Sequence, residues 1–186
     1  ISQLTAIDLA NTTGSLTYAT VSDIASALAT NTGGYVDAGK NVVVTGAATV
    51  AQLTTIDGLN TNGALTYTAI TDATSSLVNA DGLGLSGYVT GSVAVTVNTT
   101  STIAQLSALD QATTGTLTYT SITDTASNLA TDAATNTGAG TYVVAGHDVT
   151  VTDAATIAQL TTIDGLANTV TYTTVTDTAL NLATDA

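Results

Sequence analysis

From Val149 to Thr152 apolar and polar positions alternate, Val149 and Val151 against Thr150 and Thr152, the period of two that predicts a strand with one buried face. A few residues later the period changes. Ile157, Leu160 and Ile163 recur at threes, and Ala126, Leu129, Ala130 and Ala133 fall at i, i+3, i+4 and i+7, so both stretches predict short helices with one apolar stripe. Along the chain these periods predict seven strands, near residues 16, 42, 65, 93, 117, 149 and 170, alternating with helices. A Thr-Asp step ends several of them. Asp124, Asp153 and Asp177 then sit where a helix N-cap belongs, accepting backbone N–H bonds and complementing the positive end of the dipole, with Gly46 and Asn98 in the matching place of earlier segments.

The pattern repeats in words as well as in period. ISQLTAID at residues 1–8 returns as VAQLTTID at 50, IAQLSALD at 103 and IAQLTTID at 157, so that Gln3, Gln52, Gln105 and Gln159 mark the spacing. A second block reads LTYATVSD at 16, LTYTAITD at 65, LTYTSITD at 117 and VTYTTVTD at 170. A third reads GYVDAGKNVVVTG at 34, GYVTGSVAVTVN at 87 and TYVVAGHDVTVTD at 141. This self-similarity predicts an α/β fold: a single repeat solenoid of short parallel strands and short helices over residues 1–186, with about 25 residues per strand–helix half-repeat and about 50 residues per full unit. Units fall near 1–47, 48–100, 101–154 and a partial 155–186, and the pattern, broken at both ends, is expected of a piece of a longer repeat protein. Whether each full unit makes one coil or two is open at this point.

The spacing L-x-Y-x-x-I in LTYTSI resembles the strand segment of leucine-rich repeats, although the Asn ladder and L-x-x-L lead-in of that family are missing. The resemblance implies parallel strands in one sheet with helices lining the other side. VTVTDAATIAQLTTID and LTYTSITDTASNLATDA, in turn, resemble the long repeat regions of very large secreted surface proteins of bacteria, cyanobacteria included, of the adhesin, filament or S-layer type. That resemblance covers the whole chain. It implies an extracellular or cell-surface structural role and supplies no active site.

Composition narrows the chemistry. The chain has no Pro, Cys, Met, Trp, Phe, Glu or Arg; its only Lys is Lys40, its only His is His147, and 14 Asp give a formal charge of -13. Nothing here neutralises phosphates, so nucleic acid and anionic headgroups are excluded as natural partners and cations are the expected counterions. A hydrophobic content of 44% with many β-branched residues argues for a folded chain despite the low-complexity vocabulary. No apolar run approaches the length of about 18 residues that a membrane span needs. One Lys and no Arg leave trypsin almost nothing to cut, which suits an exposed surface.

Candidate sites follow from the recurring polar positions. His147 lies in the turn AGHD, where Lys40 lies in AGKN and Ser92 in TGSV, so it reads as a solvated loop residue. No nucleophile with a tuned base can be named, and the chain is not expected to be an enzyme. Asp8, Asp57, Asp110 and Asp164 close the first helix of every unit, where a carboxylate faces the negative end of the dipole. Turn formation by the Asp side chain is the preferred explanation; the alternative is shared oxygen ligation of Ca²⁺ between neighbouring coils, although no G-G-x-G-x-D loop occurs. No cofactor is otherwise required. Gln52, Gln105 and Gln159 are expected at the border of the helix stripe, their amides forming a column that sets register.

Tyr18, Tyr67, Tyr119 and Tyr172 fill one strand position, and Tyr35, Tyr88 and Tyr142 another, which predicts stacked core columns ahead of a sugar site. The outward strand positions Thr66, Thr68, Thr118, Thr120, Thr150, Thr152, Thr171 and Thr173 form a Thr-x-Thr column that resembles the ice-binding face of β-solenoid antifreeze proteins. Such a column would order water, or take carbohydrate, only on a flat face; Val43 and Ala94 interrupt it. Thr and Ser also offer O-glycan acceptors, and NTT at Asn11 and Asn98 the N-glycan pattern. The expected function is a rigid spacer, filament body, surface coat or adhesin stalk. Its expected partners are adjacent repeats or other copies, joined head-to-tail or laterally.

Overall fold

The structure, a computed structural model, describes residues 1–78, 85–135 and 140–185. The end of the second Thr-Asp block, residues 79–84, lies outside the described residues. In chain order the elements are α1 (Ser2–Ala10), β1 (Thr20–Ile24), α2 (Ala25–Thr30), β2 (Asn41–Thr45), β3 (Ala47–Ala48), α3 (Val50–Leu59), β4 (Leu65–Thr66), β5 (Ala69–Asp72), α4 (Thr74–Leu77) and β6 (Ala94–Val97), then α5 (Ile103–Ala112), β7 (Leu117–Thr118), β8 (Ser121–Asp124), α6 (Ala126–Thr135), β9 (Asp148–Val151), α7 (Ile157–Asp164), β10 (Thr169–Thr171) and α8 (Ala179–Thr184). The fold is α/β, with parallel strands in three sheets.

The chain divides into two compact units. One comprises Ile1–Asp72, Ser86–Thr96 and Thr113–Thr116, the other Ala73–Leu85, Val97–Ala112 and Leu117–Ala186, where described. In the first unit β1 lies parallel to β2, with Thr20 opposite Asn41 and Ile24 opposite Thr45, and β2 lies parallel to β4, with Val42 opposite Leu65. β3 pairs β5 through Ala48 and Ile70, and the Ala94 N–H donates to the Thr68 carbonyl at 2.9 Å. In the second unit β8 pairs β9, with Ser121 opposite Asp148, and β9 pairs β10, with Asp148 opposite Thr169. Every one of these pairings joins two strands across a single intervening helix: α2 for β1 and β2, α3 for β2 and β4 and for β3 and β5, α6 for β8 and β9, and α7 for β9 and β10.

The two sequence periods build these layers as expected. Val149 and Val151 are buried while Asp148 and Thr150 are exposed, and Val42 and Val44 bury the same face of β2. Leu53 and Ile56 of α3, Leu106 and Leu109 of α5, and Ala126, Leu129 and Ala133 of α6 are the buried helix stripes. Val42, Leu53, Ile56 and Ile70 in the first unit, and Leu106, Ile122, Leu129 and Ile163 in the second, have no exposure at all. Each such side chain contributes about 1.5–3 kcal/mol through burial. The LTYTAITD run differs from expectation. It forms two strands, β4 and β5, which pair different partners, because the chain turns at Tyr67–Thr68.

Candidate functional site

Each of the first three LTY blocks aims its tyrosine at the next Tyr-Val segment. The hydroxyls of Tyr18, Tyr67 and Tyr119 donate to the carbonyl oxygens of Tyr35, Tyr88 and Tyr142, each at 2.9 Å. The paired rings meet edge to face with centroids 6.3, 6.2 and 6.1 Å apart, a favourable quadrupole arrangement. Burial, reinforced by Asp132, Tyr142 and Asp110, pushes the Tyr119 hydroxyl up to about 12, and burial raises Tyr18, Tyr67 and Tyr142 as well. A phenol kept neutral at such a place stays a hydrogen-bond donor.

Lys40 and His147 belong to this column, which corrects their reading as solvated loop residues. Both are half-buried. The Lys40 ammonium donates to the Tyr18 carbonyl at 3.0 Å and lies 4.8 Å from the Tyr18 ring centre, a cation–π contact. The His147 ring lies over Tyr119 with centroids 4.3 Å apart and a tilt of 35°. Lys40 and His147 thus each cover an aromatic face from the matching turn.

The strand-closing carboxylates bond to the first N–H of the helix that precedes them. Asp124 Oδ2 accepts the Ile103 N–H of α5 at 3.1 Å, Asp72 Oδ2 the Val50 N–H of α3 at 2.9 Å, and Asp177 Oδ2 the Ile157 N–H of α7 at 3.1 Å. Asp23 Oδ2 accepts from the Ile1 nitrogen at 2.7 Å, at the matching place of its block. The other oxygen of Asp124 accepts the Thr125 N–H at 2.8 Å and the Asn128 amide at 2.8 Å; in Asp177 it accepts the Thr178 N–H and the Asn181 amide, both at 2.7 Å. These Thr178 and Asn181 bonds, with that from Ile157, lower the Asp177 carboxyl.

These Asp residues therefore do not cap the helix that follows them, contrary to the sequence expectation. Thr156 and Thr178 hold the N-cap positions of α7 and α8, and the Thr125 hydroxyl accepts from Asn128 N–H in α6. Asp153 reaches back to α6, accepting the Ala126 N–H at 2.7 Å. The position matching Asp153 in the preceding unit is Thr99 and not Asn98, since Thr99 Oγ1 accepts the Thr74 N–H at 2.9 Å. Thr74 Oγ1 then meets Ser101 Oγ at 2.6 Å in a buried hydroxyl cluster.

The recurrent Gln is likewise local. Gln52 and Gln159 complete capping boxes with Thr49 and Thr156, and Gln105 makes the same pair of bonds with Thr102, at 2.9 and 3.2 Å. Thr-x-x-Gln ahead of an apolar run was the available signal. Asp132 is absent from the candidates that the sequence suggests, yet its buried Oδ2 accepts the Tyr142 and Val143 N–H groups at 2.8 and 2.7 Å. Asn31, at the same point of its block, holds the Val36 N–H and carbonyl at 2.7 and 2.8 Å.

Of the candidate calcium ligands, Asp110 is half-buried and Asp8, Asp57 and Asp164 are exposed. Two of them have tyrosine neighbours: the Tyr35 hydroxyl donates to Asp8 Oδ2 at 3.4 Å, and the Tyr142 hydroxyl has Ser107 and Asp110 as side-chain partners. Among the described residues no group of three or more His, Cys, Asp or Glu could hold a metal ion. All eight residues of the candidate Thr face are exposed. Thr171 stands opposite Thr150, but the other neighbour of Thr150 is Thr123, and Thr66 stands opposite Val43, so the eight do not form one register.

No protein-family model, curated protein or solved structure matches this chain. Among the described residues no helix is long and apolar enough to cross a membrane.

Proposed function

We propose that the chain is a section of an α/β solenoid, one strand and one helix per coil and two coils per sequence unit, working as an extracellular spacer, filament body, surface coat or adhesin stalk. The observation that carries this reading is the parallel pairing of strands across a single intervening helix, repeated with the same tyrosine-to-carbonyl bond at Tyr18, Tyr67 and Tyr119. The recurrent Tyr, strand-closing Asp and Gln residues bond to the backbone of neighbouring coils or of their own helix. They are thereby consumed in holding the array together, which is what a mechanical element requires and what a ligand site would not leave room for.

In such an array stability is a sum of coil terms and nearest-neighbour interfaces. Chains carrying one, two and three tandem copies should therefore unfold at progressively higher urea concentration. A midpoint unchanged by copy number would refute the solenoid. Electron micrographs of the native material test the role: rods or continuous fibres are expected, and compact particles would refute it. The surface location draws on composition, since one Lys and no Arg make an exposed chain resistant to trypsin-like proteases.

A further inference from the structure

Asn62 and Gly63 form the one Asn-Gly step in the chain, in the turn between α3 and β4. Asn62 stands in the left-handed region at φ 68°, which Asn tolerates because its short polar side chain can bond locally. The one other asparagine in that region among the described residues, Asn31 at φ 50°, has its amide tied to the Val36 N–H and carbonyl, and Thr32 follows it. Asn62 is exposed instead, and Gly63 has no side chain to shield its backbone nitrogen from the Asn62 carboxamide.

The turn itself restrains this step. The Gly63 N–H donates to the Asn60 carbonyl at 2.8 Å, and the Gly39 N–H donates to the Asn60 and Thr61 carbonyls at 3.2 and 2.9 Å. The buried Asn60 amide reaches the Lys40 carbonyl at 3.5 Å, and a Cβ on Gly63 would collide with that same carbonyl. The turn before β4 is thus pressed against the turn before β2, with no spare room at Gly63.

We infer that Asn62–Gly63 is a self-modification site that the fold keeps closed, and that its reaction stops the turn from closing again. Water is the co-reactant. The Gly63 nitrogen attacks Asn62 Cγ; the new N–Cγ bond forms, the Cγ–Nδ2 bond breaks, and ammonia leaves with the proton that the Gly63 N–H gives up. Water then opens the cyclic imide at either carbonyl, giving an ordinary aspartyl or an isoaspartyl link. In the closed turn the attacking nitrogen keeps its proton in the bond to the Asn60 carbonyl, so the reaction runs through molecules whose turn has opened. An isoaspartyl link lengthens the main chain by one carbon beside a glycine where no Cβ fits, so the product does not reseat against Lys40.

The test follows loss of the Asn62 amide by mass spectrometry in the intact chain, in the same chain in urea, and in a synthetic peptide of residues 58–68, all in one mildly alkaline buffer. The folded chain should react at least about tenfold more slowly than the peptide, and urea should bring it to the peptide's rate. Asn62→Gln, whose longer side chain cyclises poorly, should suppress the conversion. The isoaspartyl product, separated by chromatography, should unfold at a lower urea midpoint than Asn62→Asp, which carries the same new charge on a main chain of ordinary length. Equal rates in the fold and the peptide, or a peptide that does not react, overturn the gated site. Equal midpoints for the isoaspartyl product and Asn62→Asp overturn the block to reclosure.

Discussion

At the scale of single residues, repetition of a side chain has two physical readings that a sequence does not separate. A Gln present in every unit can bond to the Gln of the next unit, or make the same short-range bond each time. The structure shows the second, with Gln105 closing onto Thr102 across three residues. Gln105→Leu should therefore cost about 1 kcal/mol, the value of a helix cap, in chemical denaturation. Combining it with Gln159→Leu should cost the sum of the two, because neither amide touches the other box. A double variant markedly worse than additive would restore the column of amides running from coil to coil. The lack of Phe and Trp pointed to the tyrosines as core, but only Tyr35 and Tyr142 are buried while Tyr172 is exposed, and the 2.9 Å bond from Tyr119 to the Tyr142 carbonyl depends on the register of two distant segments and had no local signature.

At the scale of elements, periodicity identified the apolar faces of β2, β9, α3, α5 and α6 because burial writes them directly into the spacing. It did not identify the split of LTYTAITD into β4 and β5, since a turn that keeps the alternation leaves no mark on it. Glycines ahead of the LTY blocks mark another constraint. A Cβ on Gly115 would lie 2.3 Å from the Val93 carbonyl oxygen, and one on Gly63 2.0 Å from that of Lys40, so backbone must move to admit it. On Gly14, at the same point of its block, the nearest atom is the Asn11 side-chain oxygen at 2.8 Å, which can swing aside. Gly115→Ala should consequently cost about 1–3 kcal/mol and Gly14→Ala well under about 1 kcal/mol when urea midpoints are compared. Equal costs at the two positions would mean that the turn before β7 adapts as freely as the one before β1.

For the whole molecule, the pH range of stability follows from two kinds of group that tie one segment of the chain to another. The carboxyl of Asp177 is lowered from 3.8 in the fold, so the stability it contributes is present above that value and is lost as pH falls through its lower folded value. Tyr119 behaves oppositely. Its hydroxyl is raised from 10.0 to about 12, so its contribution is complete below pH 10 and is lost as pH rises through about 12, when the half-buried donor to the Tyr142 carbonyl ionises. Net charge opposes the acid trend, because a chain at -13 repels itself less as its carboxylates are protonated. Salt separates the two effects, since about 0.5 M NaCl screens the diffuse repulsion far more than a carboxylate already bonded to backbone N–H groups. Thermal unfolding followed by circular dichroism should give a plateau between about pH 4 and 10 with a fall on both sides. The acid fall should be steeper at high salt, where the compensating relief of repulsion is already gone. A midpoint that rises steadily from about pH 5 to about pH 3 at high salt would mean that the carboxylate links between helices and the strands that follow them contribute nothing to cohesion, and the array would then depend on its apolar stripes and tyrosine columns alone.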